Sequence, residues 1–193
     1  MFAAQFQDWV LEDFRFLLTE YGFRCVEQRP GFVCFKSSRV YLQVAHDGLR
    51  SFELEVRVGL VRRRSARPEP GFTLAALLEQ AGAPDADRYN RAIQAASEDV
   101  VRRFVHEMAG LVAKYGRPAL SGDAKVFKNL ALQAQARAEA YAQETKLAFA
   151  RAQAETAWRK KDYTSVIAAL TPMKEALTPS ERKRLDLARK RGP

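Results

Sequence analysis

The chain has 193 residues, of which 47% are hydrophobic, 28% charged and 10% aromatic. That balance supports a buried core and excludes disordered, collagen-like and disulfide-stapled mini-protein classes. The formal net charge of +9 is uneven: residues 1–120 hold 17 Lys+Arg against 15 Asp+Glu, whereas residues 121–193 hold 15 against 8. No apolar run approaches the roughly 18 residues of a membrane span. Asp8, Glu12 and Asp13 stand where a secretory leader would carry positive charge and then an apolar stretch, so the expected location is the cytoplasm, with no membrane contact.

At the N-terminus, Phe6, Val10, Phe14, Leu17 and Leu18 recur at helical spacing and predict one amphipathic helix stopped at Tyr21-Gly22. From Phe23 the period changes to two. Strands are predicted at Phe23 to Glu27, Phe32 to Lys36, Val40 to Ala45 and Phe52 to Leu60, divided by Arg29-Pro30-Gly31, Ser37-Ser38 and the Asp47-Gly48 turn. A two-residue Asp47-Gly48 hairpin would place Val44 opposite Ser51, an apolar residue against a polar face. An odd-length connection over Asp47-Gly48-Leu49, pairing Val44 with Phe52 and Leu42 with Leu54, is therefore expected.

Val61 to Gly71 reads as a loop carrying Arg62, Arg63, Arg64 and Arg67. Thr73 should cap a short helix ending before Ala81-Gly82-Ala83-Pro84, and a second helical stretch is expected from about Asp85. Ser97 should cap, through its hydroxyl, a helix whose stripe is Val101, Phe104, Val105, Met108, Leu111, Val112 and Tyr115, stopped by Gly116 and kept stopped by Pro118. Residues 123–161 contain no proline or glycine and are dense in alanine. One helix there would run close to ~58 Å, anchored at Phe127, Leu130, Tyr141 and Phe149, and should project, bend or break. Two further helices are expected at Tyr163 to Ala176 and Pro179 to Arg191, with Thr178 as cap. The fold class is α+β. An N-terminal helix and four-stranded antiparallel meander covered by helices form one domain, 1–122. An extended, basic, alanine-rich helical module forms the other, 123–193.

Candidate chemistry is sparse. Cys25 and Cys34 fall on neighbouring strands, without CxxC spacing, and are expected as buried free thiols; His46 and His106 are expected in structural or exposed roles. Glu53, Glu55 and Arg57 alternate onto the face of their strand that Tyr41 and Gln43 share from the next. That face is a polar floor suited to acid–base chemistry, to salt bridges or to a partner. There is no phosphate loop, nucleophile elbow or metal-spaced cluster, so no enzymatic activity, metal or cofactor is expected. The arginine loop, together with Arg182, Lys183, Arg184 and the run Arg189-Lys190-Arg191, carries charge suited to phosphate or carboxylate.

Two resemblances add to this. Ala154, the turn Lys161-Asp162-Tyr163, and then Val166, Leu170 and Met173 at spacings of three and four make residues 147–191 similar to a solitary tetratricopeptide-type helix pair with a capping helix. Ala150, Gln153 and Ala157 stand where that repeat carries bulkier side chains. The resemblance implies a protein-docking helical hairpin whose apolar face, with Trp158 and Tyr163 beside it, must be covered by this chain or by another. The stretch Glu20-Tyr21-Gly22-Phe23, the meander with Phe52-Glu53-Leu54-Glu55-Val56, the Leu77-Leu78 helix, Leu111 to Gly116, and Leu120-Ser121-Gly122-Asp123 give residues 1–130 a layout that resembles short uncharacterised bacterial α+β domains, some of which look like immunity proteins. That resemblance implies a non-enzymatic protein that neutralises a toxin by occlusion. The expected partner is a protein with an acidic surface, bound through Tyr41, Gln43, Glu53, Glu55, Arg57, Trp158 and Tyr163. The alternative is a nucleic-acid-binding accessory protein using the arginine loop and the basic C-terminal helices.

Overall fold

The computed structural model of the chain describes residues 3–61, 71–84 and 86–192. It is α+β and divides into two compact units, Met1–Leu132 and Gln133–Pro193. The division falls later than residue 122 because Phe127 and Leu130, both buried, close the first core rather than the second.

In the first unit the predicted opening helix is two. Helix α1 (Ala3–Asp13) and helix α2 (Phe16–Tyr21) are separated at Phe14-Arg15, and α2 ends on Gly22, whose φ of 66° is the left-handed conformation that glycine adopts without penalty. The break keeps Phe6, Val10, Phe14 and Leu17 buried on one side and leaves Leu18 at 40% exposure. Strands β1 (Arg24–Arg29), β2 (Phe32–Lys36), β3 (Val40–His46) and β4 (Glu53–Leu60) form the expected antiparallel meander. Two short strands unforeseen in the sequence, β5 (Phe72–Thr73) and β6 (Ile93–Gln94), both pair with β4.

Between β3 and β4 the parity is as expected, apolar opposite apolar, but the register is not. Val44 pairs with Val56 and Leu42 with Val58, rather than with Phe52 and Leu54. The connection runs over Asp47–Phe52, longer than the expected turn. Asp47 organises it: its carboxylate accepts the amides of Leu49 (3.1 Å), Arg50 (3.1 Å) and Ser51 (3.3 Å) and the Ser51 hydroxyl. These bonds satisfy the loop backbone locally and hold the carboxyl below its ordinary pKa, the Leu49 amide first among the causes. Phe52, expected to pair in the ladder, leaves the loop with a φ of 54°.

Alternation puts Val33, Phe35, Val40, Leu42, Val44, Leu54, Val56 and Val58 on one face of the sheet, in a single apolar core with α1 and the helices that follow. Helix α3 (Leu74–Gln80) begins as expected on Thr73, whose hydroxyl accepts the Ala76 amide. The helix expected from about Asp85 is only a 3-10 turn, Ala86–Tyr89, before β6: Tyr89 is buried and β6 takes up the chain to complete the edge of β4. Helix α4 (Glu98–Tyr115) buries Val101, Val105, Met108 and Val112 and packs along α1. Ser97 occupies its N-cap, but its side chain makes no capping bond; the acidic Glu98 and Asp99 match the positive end of the helix dipole. Gly116 follows α4 with its amide still bonded to the Val112 carbonyl, and a Cβ there would meet that oxygen at 2.5 Å, so the position takes glycine. The chain restarts at once as α5 (Arg117–Leu120), with Pro118 in its first turn, where the missing N–H costs nothing.

One continuous helix, α6 (Ala124–Arg159), carries the chain from the first unit into the second. Of its expected anchors, Phe127 and Leu130 are buried, but Tyr141 and Phe149 are 72% and 64% exposed. In the second unit the α6 terminus is followed by α7 (Tyr163–Leu170), a 3-10 segment Thr171–Ala176, and α8 (Pro179–Arg191). The α-helix expected through Ala176 stops at Leu170 because Pro172 cannot donate to the ladder. Ala154, Ala157, Val166, Leu170, Leu177, Leu185 and Ala188 form this unit's core.

Candidate functional site

The face of the sheet away from the main core holds the first group of candidates. Register places Cys34, Gln43 and Arg57 in one row across β2, β3 and β4, with Tyr41 opposite Gly59 and Ala45 opposite Glu55 in the rows on either side. Tyr41 is not solvated as expected but 3% exposed. Its ring lies over Gly59, where a Cβ would come within 2.5 Å of the ring, and its hydroxyl lies close to Gly71. Glycine opposite an aromatic residue lets the ring lie flat on the sheet. The Arg57 guanidinium donates to Glu55 Oε1 at 2.8 Å and to the Gly71 carbonyl at 3.3 Å, an arrangement that raises its pKa through the Glu55 hydrogen bond and keeps it charged.

Glu55 is therefore engaged by a permanent cation, and Glu53 lies exposed at the end of β4 opposite Gln94. The expected pair of adjacent carboxylates is thus one neutralised and one solvated group.

Cys25 and Cys34 are free. Cys25 pairs with Phe35 and Cys34 with Glu27 and Gln43, so a bulge in β1 and the alternation of β2 send the two thiols to opposite faces of the sheet. Burial pushes the Cys34 thiol pKa up, which makes it a poor nucleophile. His46 is buried, with Nε2 2.9 Å from the Ala95 carbonyl; the ring donates there and fixes the segment that follows β6. His106 on α4 donates from Nδ1 to Asp13 of α1 at 2.8 Å. That pair lies on a groove of about 490 Å³ also lined by Trp9, Glu12, Asp99, Arg102 and Arg103. Sequence spacing gave no sign of it, because Asp13 and His106 are joined only by the packing of α1 on α4.

Arg62, Arg63, Arg64 and Arg67 lie outside the described residues. The other basic candidates divide into two sets. Arg184 donates to Glu155 at 2.6 Å and stands 5.3 Å from the centre of the Trp158 ring, and Arg151 makes a two-pronged contact with Glu181 at 2.6 and 3.2 Å. These cations, expected in part as contact residues, hold the second unit together. Trp158 meets Tyr163 edge-on at 5.7 Å, and both are half-buried. Val166 and Leu170 are covered by this chain's own α8 through Leu185 and Ala188. Arg182, Lys183, Arg189 and Lys190, by contrast, are exposed, and their spacing sets them on one side of α8. Arg189 approaches Asp186 at 3.8 Å, while Arg182, Lys183 and Lys190 make no ion pair among the described residues.

Three carboxylates of this unit, Glu155, Asp162 and Glu181, share one sign of shift. Arg151, helped by the Thr178 amide, lowers Glu181 to about 2; Arg184 and Arg159 lower Glu155; Ser165, capped by Asp162 at the start of α7, lowers that residue. Folded pKa values below the unfolded ones mean stability that is present above the ordinary carboxylate range and lost as pH falls. The thermal midpoint of this unit, followed by far-ultraviolet circular dichroism, should hold from neutrality to about pH 4.5 and then fall steeply toward pH 2. Glu181→Gln should flatten that fall; an unchanged acid limb in this variant would remove Glu181 from the account.

Among the described residues no helix is long and apolar enough to cross a membrane, and no group of three or more His, Cys, Asp or Glu is placed to hold a metal ion. Comparison with protein-family models, curated proteins and solved structures finds no match to this chain.

Proposed function

We propose that the chain is a stoichiometric protein-binding module rather than an enzyme, acting by occlusion as an immunity-type protein does, on a partner with an acidic surface. The observation that supports this reading most is the basic side of α8. The internal ion pairs engage Arg151, Arg159 and Arg184 but leave Arg182, Lys183 and Lys190 pointing to solvent. Helix stability does not account for Arg182 and Lys183. They follow directly on the first turn, where the dipole favours anions and where Glu181 already serves. The Glu55–Arg57 pair on the outer face of the sheet, with Gln43 opposite Arg57, is a second, pre-organised polar surface, held by the Arg57 bonds to Glu55 and to the Gly71 carbonyl.

Trp158 and Tyr163 pack on this chain's own helices, so changing them reports on folding as well as binding. The cations are the cleaner test. Mixed with the purified product of the neighbouring reading frame, the full chain should give a one-to-one complex whose association slows with salt. The triple change Arg182→Gln, Lys183→Gln and Lys190→Gln should slow association about tenfold with the melting midpoint unchanged. Unaltered association kinetics in the triple variant would overturn the assignment of this surface.

The same exposed cations are the observation that favours nucleic acid as the second reading. Binding to a DNA or RNA duplex would weaken by about one log unit of affinity per log unit of salt for each phosphate neutralised. No shift of such a probe at ~50 mM salt, a concentration at which electrostatic binding is near its strongest, would remove it.

A further inference from the structure

We infer that the groove between α1 and α4 is a binding site for a small phosphorylated molecule carrying hydroxyl groups, of the size and chemistry of a nucleoside monophosphate. The groove lies wholly within the first unit and encloses about 490 Å³, a volume in the range of small-molecule sites. Trp9, Glu12 and Asp13 line it from α1, and Asp99, Arg102, Arg103 and His106 from α4. It shares no residue with the basic side of α8, so the two surfaces can be tested separately.

The phosphate-binding side is α4. Arg102 and Arg103 stand four and three residues before His106, so the three side chains share one patch of the helix surface. Neither guanidinium makes an ion pair or hydrogen bond among the described residues, and Arg103 meets only the ring of its neighbour Phe104, at 5.2 Å. Helix stability does not account for them. Arg102 follows directly on the first turn of α4, where the dipole favours anions and where Glu98 and Asp99 already serve. His106 adds a contact of fixed direction. Its Nδ1 donates to Asp13 Oδ1 at 2.8 Å, which orients the ring and leaves Nε2, on an 81% exposed side chain, for a ligand. That nitrogen accepts from a hydroxyl when the ring is neutral and donates to a phosphate oxygen when it is protonated. Two planar guanidinium forks beside it complete a donor set suited to one phosphate group.

The carboxylates indicate what else the molecule carries. Glu12 and Asp99 are exposed and engage no cation among the described residues. Ionised, they accept hydrogen bonds and donate none, so they suit sugar hydroxyls and repel a second or third phosphate. This selects a monophosphate over a polyphosphate or a nucleic-acid strand. Trp9 is half-buried and gives the groove an aromatic wall suited to a planar base.

Titration of the full chain with adenosine monophosphate, followed by calorimetry and by the Trp9 indole and His106 ring signals in nuclear magnetic resonance, should show one site with a dissociation constant below about 1 mM. Adenosine and inorganic phosphate should each bind about tenfold more weakly, and adenosine triphosphate no more tightly than the monophosphate. The double variant Arg102→Gln with Arg103→Gln should weaken the monophosphate about tenfold at an unchanged melting midpoint. Glu12→Ala, at an exposed helix position that alanine suits, should weaken the monophosphate several-fold without weakening inorganic phosphate. Absence of heat and of signal shifts up to about 5 mM monophosphate, or an unchanged constant in the arginine variant, would overturn the inference. So would adenosine or inorganic phosphate binding as tightly as the monophosphate, tighter binding of the triphosphate, or a Glu12→Ala variant that does not weaken the monophosphate.

Discussion

A fragment ending at residue 122 should lose most of its cooperative melting, whereas one ending at Leu132 should keep it. The difference is the first turns of α6. Phe127 is 4% exposed and Leu130 fully buried, and the Phe127 ring stands 6.2 Å from that of Phe72 in β5. Removing a buried phenylalanine costs about 3–5 kcal/mol and a buried leucine about 2–5. A domain of this size holds only ~5–15 in total. Losing both therefore consumes most of the margin, and the shorter fragment should expose its core to an apolar dye. In the full chain the same physics is read from single changes: Phe127→Ala and Leu130→Ala should each lower the melting of the first unit, while the exposed Leu132→Ala should not. A 1–122 fragment as stable as 1–132 would show that α6 merely lies over a core already closed without it.

The boundary illustrates what the sequence discloses and what it withholds. Phe127 and Leu130 are visible as apolar positions on a long helix, but nothing in their spacing says which core they enter. Alternation in β3 and β4 identifies the buried faces correctly, since period two survives any even shift of register. The shift itself was fixed by Asp47, whose carboxylate gathers three successive amides into a longer loop. Tyr41 was legible as an outer-face residue but not as a buried one; its burial depends on Gly59 and Gly71, which become its neighbours only once the strands pair. The candidates divide for the same reason. Local spacing shows that Arg182, Lys183 and Arg184 are adjacent, whereas the turn of α8 gives Arg184 to Glu155 and leaves the other two to solvent. The two histidines were assigned structural or exposed roles, and their contacts agree: His46 binds a backbone carbonyl, and His106 is 81% exposed beside Asp13; the thiols, expected free and buried, are both free, but only Cys34 is buried and Cys25 is half-buried.

Leu185→Ala should bring the second unit close to unfolding at ambient temperature. The unit comprises about 60 residues, for which a total stability of roughly 3–9 kcal/mol is typical, and chains of this length bury a smaller fraction of their surface than larger domains. Its buried core is thin in large side chains: Leu170, Leu177 and Leu185 with Val166, the rest being alanine, while Leu147, Trp158, Tyr163, Ile167 and Met173 pack against it only partly buried. Leu185 is 2% exposed and joins α8 to the α6–α7 hairpin, so its truncation leaves a cavity that three short helices cannot collapse around without parting. The cost is about 2–5 kcal/mol, which lowers the midpoint by about 10 °C or more in a unit this small. The chain has two tryptophans, Trp9 in the first unit and Trp158 in the second. In a Trp9→Phe background the fluorescence therefore follows Trp158 alone, which sits between Tyr163 and Arg184 and reports the docking of α8 directly. Leu187→Ala, two positions along the same helix but 43% exposed, supplies the control and should stay within about 0.5 kcal/mol of the parent. If Leu185→Ala melted with Leu187→Ala and not far below it, α8 would not be the element that closes the hairpin. The apolar face of Val166 and Leu170 would then again need a cover from outside the chain.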